Sequence, residues 1–178
     1  MFRTVVRTLT FRLFLVPLTS ACRLATSPLA PSPAGPGDPL VVPEFLAPSV
    51  AVIDSDSRPV PILDEAAGPW LRRVIRGVVV DPTLPAHVRA QCCTRDGFVR
   101  WSTGWRPDPD DPRDVRLAAA ILIHEGRHAQ GFPHSCPDSR RDRTYEEGGA
   151  WALHAAWLRH IGEHATADSI LASDIGCG

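Results

Sequence analysis

Apolar positions fall into short runs separated by breaks rich in proline and aspartate. Val50-Ala51-Val52-Ile53 reads as a short strand. Over 64–75 the residues Ala67, Leu71, Val74 and Ile75 recur at helical spacing, interrupted by Gly68-Pro69. Gly77-Val78-Val79-Val80 predicts a buried strand ending at Asp81-Pro82. Asp96-Gly97, between Cys92-Cys93-Thr94 and Phe98-Val99-Arg100-Trp101, is a hairpin turn signal. The clearest element is a helix over 113–130: Asp111 suits the N-cap, Pro112 the first helical position, and Asp114 the first turn. Leu117, Ile121 and His124 lie on one stripe, Gly131 is a natural stop and Pro133 forbids continuation. A second helix is predicted over 144–161 and a third over 165–172. The order predicts an α+β fold: short strands with a hairpin, then a long helix with one or two packing helices.

Composition narrows the class. A chain of 178 residues has room for one domain. Its 44% hydrophobic and 22% charged residues suit a packed globule. The net charge of −1 offers no polybasic surface, so nucleic acid is not an expected partner. No run of 18 apolar residues exists, which excludes a conventional spanning helix. Lys and Asn are absent and all 19 basic residues are Arg. That matches GC-rich coding, so no single Arg is read as selected over Lys.

Residues 1–21 have the order of a secretory signal: Arg3, Arg7 and Arg12, then apolar Leu13 to Leu18, then Thr19-Ser20-Ala21. Cys22 follows directly and resembles the lipidated cysteine of a bacterial lipobox, with Leu18 one place further away than usual. The stretch over 22–49 is rich in Pro, Ala, Ser and Gly, a composition expected of an extended tether. The expectation is an exported protein, lipid-anchored in the cell envelope, at the outer membrane if the cell has one. Cys92, Cys93, Cys136 and Cys177 remain, an even count that predicts two disulfides. A bridge between neighbours is geometrically awkward, so Cys92 and Cys93 are each expected to reach Cys136 or Cys177.

The main helix carries His124-Glu125-Gly126-Arg127-His128, an H-E-x-x-H motif. Two histidines four apart share a helix face, so their imidazoles can converge on one ion. Zinc is the default for two histidines plus one further ligand, with water in the open position. Glu125 is placed to take that water's proton and pass it to a leaving amine.

Two residues compete for the third ligand. Glu147 lies 18 residues beyond His128, in the predicted first turn of the second helix. This resembles the H-E-x-x-H-x18-E spacing of gluzincins of the aminopeptidase-N type, and Glu147 is preferred. Thr144-x-x-Glu147 is also a capping box, which would direct Glu147 to the backbone instead. Glu146 stands adjacent. His134 is the alternative: His124-Glu125-x-x-His128-x-x-Gly131-x-x-His134 resembles the metzincin run. Metzincins add a methionine turn, whereas the only methionine here is Met1. The same run with Cys136, Asp142, Thr144, Glu147 and Gly149-Ala150-Trp151 resembles a group of small bacterial zincin-like lipoproteins. That resemblance implies a minimal zincin domain over 50–178, with Glu147 and His134 both important.

His154, seven residues after Glu147, is a candidate supporting residue, to steady an oxyanion or bond Glu147. Arg127 is expected to pair with an acid. His160 and His164 are also four apart, but Gly162 lies between them, and they read as surface residues. Trp101, Trp105, Trp151 and Trp157 are expected in the core or lining a groove. The functional expectation is a zinc-dependent metallopeptidase acting on envelope peptides or proteins. The alternatives are a non-catalytic zinc-binding protein and a disulfide-stabilised interaction module of the envelope.

Overall fold

The computed structural model describes residues 39–135 and 142–172. The signal, Cys22, most of the tether, Cys136 and Cys177 lie outside them. Five α-helices and a three-stranded sheet make an α+β domain. A 3-10 turn (Glu44–Leu46) leads into α1 (Ala47–Ser55), followed by α2 (Ala67–Val74). Strands β1 (Gly77–Asp81), β2 (Ala90–Gln91) and β3 (Phe98–Ser102) form a sheet of order β1-β3-β2. The long helix α3 (Pro112–Ala129) comes next, then a 3-10 turn (Arg143–Tyr145), α4 (Ala150–His160) and α5 (His164–Ala172). Among the described residues, no helix is long and apolar enough to cross a membrane.

Helix α3 follows the sequence reading closely. The Asp111 side chain accepts the Arg113 N–H at 2.8 Å, and Pro112 needs no such partner at the first position. Ala118 to Gly126 are all buried, so the helix is central to the domain rather than laid on its surface. It packs on α1, α2 and α4, with Trp70, Leu71, Leu122, Ile123, Leu153 and Trp157 in the core. Each fully buried side chain of this size contributes about 1.5–3 kcal/mol relative to exposure.

The hairpin is also as expected. Thr94 N–H donates to Phe98 O and Gly97 N–H to Thr94 O, while Ala90 pairs with Trp101 and Gln91 with Arg100. β1 runs parallel to β3 as an edge strand, so Val78 is buried but Val79 and Val80 face outward, not into a core as expected.

Other elements correct the expectations. Val50-Ala51-Val52-Ile53 is helical, inside α1, with Pro48 in its first turn. A run of four apolar residues cannot distinguish a strand from a buried helix. Gly68-Pro69 opens α2 rather than interrupting it. Packing also begins before residue 50: Leu46 is fully buried and Val78 N–H donates to Val41 O. The helix expected from residue 144 starts at Ala150 instead. Gly148 at φ 74° and the extended Gly149 separate it from the preceding 3-10 turn.

Candidate metal centre

The last two turns of α3 put His124 and His128 on one face, and the chain then reverses at Gly131, whose φ of 91° favours glycine. The reversal returns His134 to the same place. Nε2 of His128 lies 3.1 Å from Nε2 of His124 and 3.1 Å from Nε2 of His134. Among the described residues these three form the group able to hold a metal ion. Exposure rises along the trio, from buried His124 through half-buried His128 to exposed His134. The centre is therefore rooted in the core and open to solvent on one side.

The outer nitrogens fix how the inner ones present themselves. His128 Nδ1 donates to Phe132 O at 2.7 Å. His134 Nδ1 donates to Asp142 Oδ2 at 2.5 Å. A neutral imidazole with its proton on Nδ1 leaves a lone pair on Nε2. Nε2 of His128 therefore faces the other two rings with its lone pair, and the three Nε2 atoms form a donor set that could hold a metal ion.

Asp142 is 1% exposed, and its Oδ1 accepts from Ser135 N, Thr144 N and Thr144 Oγ1. Burial pushes its pKa up, but the Ser135 N–H, His134 and Thr144 outweigh that and hold it below the ordinary value. It is thus a carboxylate aimed at a ligand. Sequence reading gave Asp142 no role of its own, because loop residues follow no period. Its one signal in the sequence is its place between His134 and Thr144 in the stretch that follows the H-E-x-x-H helix.

Burial lowers the pKa of His124 well below 6.5, with neighbouring His154, His128 and His134 adding to the effect. Burial also lowers His128, partly opposed by the Phe132 carbonyl. Both therefore favour the neutral, ligating form.

Glu125 is 6% exposed, and burial pushes its pKa up to about 7. Its Oε2 accepts the Cys92 N–H at 2.6 Å, which opposes the rise. A carboxyl titrating near neutrality suits proton transfer. The end of β2 thereby holds Glu125, a contact that no spacing announced.

Glu147, the preferred third ligand, is not in the trio. It is exposed in the turn after the 3-10 segment, and its N–H donates to Thr144 O at 3.1 Å. The Gly148-Gly149 break removes the helical first turn that would have delivered it, and Thr144 bonds Asp142 rather than capping a helix. The alternative, His134, occupies the position. Cys92 and Cys93 are joined to each other, not to distant cysteines. Both lie just before the Thr94–Gly97 turn of the hairpin, with the Cys92 N–H on Glu125 and Cys93 packed against the core. Among the described residues Arg127 has no acidic partner: it donates to Gly148 O and Gln130 Oε1 and lies over the Phe132 ring at 3.6 Å. Trp151 forms a wall of the centre, 4.3 Å from His124 and 6.1 Å from His134 between ring centroids. His154 is buried behind it. Trp101 and Trp157 are core residues.

No protein-family model, curated protein or solved structure matches the chain.

Proposed function

We propose that this chain is a zinc-dependent hydrolase of peptide bonds, exported and lipid-anchored through Cys22, with the minimal zincin arrangement its motif resembles. The convergence of Nε2 from His124, His128 and His134, with the buried carboxyl of Glu125 next to His124 in the chain, carries this reading. Three nitrogens on a tetrahedral zinc, each at about 2.0–2.1 Å, stand about 3.3–3.4 Å apart. The two separations from His128, each 3.1 Å, come near that value, and all three ligand atoms lie within 4.8 Å of one another. Zinc, when held, lowers the pKa of water and polarises a carbonyl.

The chain's own residues do the rest. Asp142 and the Phe132 carbonyl orient two of the three ligands. Glu125 takes the proton of the attacking water and returns it to the leaving amine, and its pKa of about 7 suits both transfers. The exposed side of His134 leaves a path for substrate.

One observation favours a second reading, a zinc-binding protein without catalysis: Glu125 is nearly enclosed and already accepts a hydrogen bond from Cys92. Elemental analysis of the full chain, with peptide-library cleavage by wild type and Glu125→Gln, tests both. The proposal expects one zinc per chain, and cleavage reduced about 10²–10⁴-fold in the variant with zinc retained. Zinc without cleavage selects the second reading, and no zinc overturns both.

A further inference from the structure

Two of the three metal-facing histidines have their outer nitrogen tied, His128 to Phe132 O and His134 to Asp142. His124 does not: its Nδ1 is buried and without a hydrogen-bond partner. Facing it from α4 is His154, 3% exposed, with neither ring nitrogen bonded. The two rings lie 5.7 Å apart at 81°, and Trp151, one turn earlier on α4, packs against both. Three unpaired ring nitrogens thus share one enclosed corner. Each buried polar group left unpaired costs about 1–3 kcal/mol. Two neutral imidazoles are complementary, since each carries one donor and one acceptor. A small ring rotation or one bridging water closes the gap.

We propose that His154 is the positioning residue of His124, accepting its Nδ1–H directly or through one water and so leaving the Nε2 lone pair turned toward His128 and His134. This rests on the metal-centre reading above. A histidine suits this corner better than a carboxylate, because a neutral acceptor avoids burying a charge. Burial lowers the pKa of His154 to about 3, consistent with a neutral ring. The trio then has three kinds of outer partner, graded with burial: an imidazole in the core, a backbone carbonyl half-way out, and a carboxylate nearest solvent.

The test is zinc affinity, by competition with a chromophoric chelator, for the full chain as wild type, His154→Phe and His154→Gln, with the melting temperature of each metal-free form. The expected result is a 10–100-fold loss in His154→Phe, recovered in His154→Gln, which keeps an acceptor. A residue that merely fills space would not show that recovery. Long-range proton–nitrogen NMR of the wild type reads the same bond if the variants fail to fold: the proton on His124 Nδ1 should exchange slowly. Wild-type affinity in His154→Phe, or a freely exchanging His124 proton, overturns the assignment. Failure of the wild type to bind zinc overturns the metal reading instead, and is seen before any variant is made.

Discussion

The chain has two pairs of histidines four residues apart, His124/His128 and His160/His164, and they come to different ends. The first pair lies within one unbroken helix, and Gly131 turns the chain so that a third imidazole joins it. The second is split: His160 ends α4, Gly162 at φ 88° turns the chain, and His164 begins α5. His160 Nε2 lies 3.1 Å from Asp56 Oδ2, and His164 is exposed. Spacing alone therefore does not make a metal site. The helix must continue through both histidines, and the reversal must come after them rather than between them.

The sharpest way to break this comparison is to remove one histidine from each region. His124→Ala should abolish stoichiometric zinc binding, a larger loss than the roughly 10–100-fold typical of outer-partner changes. His160→Ala should leave the zinc content at its wild-type level. Elemental analysis of the two purified variants checks this, and equal losses would remove the distinction between the pairs.

The carboxylates come next. Asp142 and Asp56 each face a histidine, but Asp142 is 1% exposed with four hydrogen bonds, while Asp56 is tied mainly to Arg58, whose side chain is 64% exposed. Asp142→Asn should weaken zinc binding about 10–100-fold. Asp56→Asn should lower stability by loosening Arg58 and His160 from a carboxylate that is itself 13% exposed, with zinc affinity unchanged. Chelator competition and denaturant unfolding on both variants separate the two effects.

What could be read ahead of the structure follows the same physics. Helix α3 was legible because its signals are local: a capping aspartate, a proline at the first position, an apolar face and a terminal glycine. His124, His128 and Glu125 came with it. The preference for Glu147 over His134 presumes a helix running through residues 144–150, and Gly148-Gly149 break it there, leaving His134 in the cluster instead. Asp142, the Cys92 N–H on Glu125 and the His124–His154 corner arise where separate segments meet, and no periodicity records that. The run Val50 to Ile53 is equally ambiguous on its own, since four apolar residues suit a strand as well as the helix α1 that packs on α3.

Above about pH 4.5 acidity probes chiefly the buried region, since the lowered carboxylates Asp56, Glu65, Asp81 and Asp142 act below it. Consider the metal-free chain between pH 6.5 and 4.5. Burial keeps His154, at about 3, and His124, well below 6.5, from taking protons that the unfolded chain binds. Glu125, raised by burial to about 7, holds one proton that the unfolded chain releases above 4.5. The two histidines outweigh Glu125, so the unfolded state binds more protons and stability decreases as the pH is lowered through this window. His128 is lowered too and adds in the same direction. Below 4.5 Glu125 is neutral in both states, and the fall steepens until His154 protonates near 3. Denaturant midpoints of chelator-treated protein from pH 7 to 4 check this, and a flat profile would mean that water reaches the corner.

The smallest expected effect draws the comparison most finely. Gly131 and Gly162 have nearly the same backbone, φ 91° and 88°, and an added Cβ at either meets nothing within 4 Å. Alanine at either position should therefore lower stability by a similar amount, about 1 kcal/mol, through the backbone alone. Their consequences should differ. Gly131 sets the direction of the segment that carries both the Phe132 carbonyl on His128 and the His134 ligand, so a strained turn there displaces two contacts of the centre. Gly162 only joins α4 to α5 beside an exposed histidine. Matched melting temperatures with zinc affinity reduced only in Gly131→Ala would show that the position of the reversal, not the conformation of the glycine, separates the three-histidine cluster from a pair split between a largely buried His160, not a surface residue as expected, and an exposed His164. Equal zinc affinities in the two variants would mean that the loop reaches its place without help from the turn.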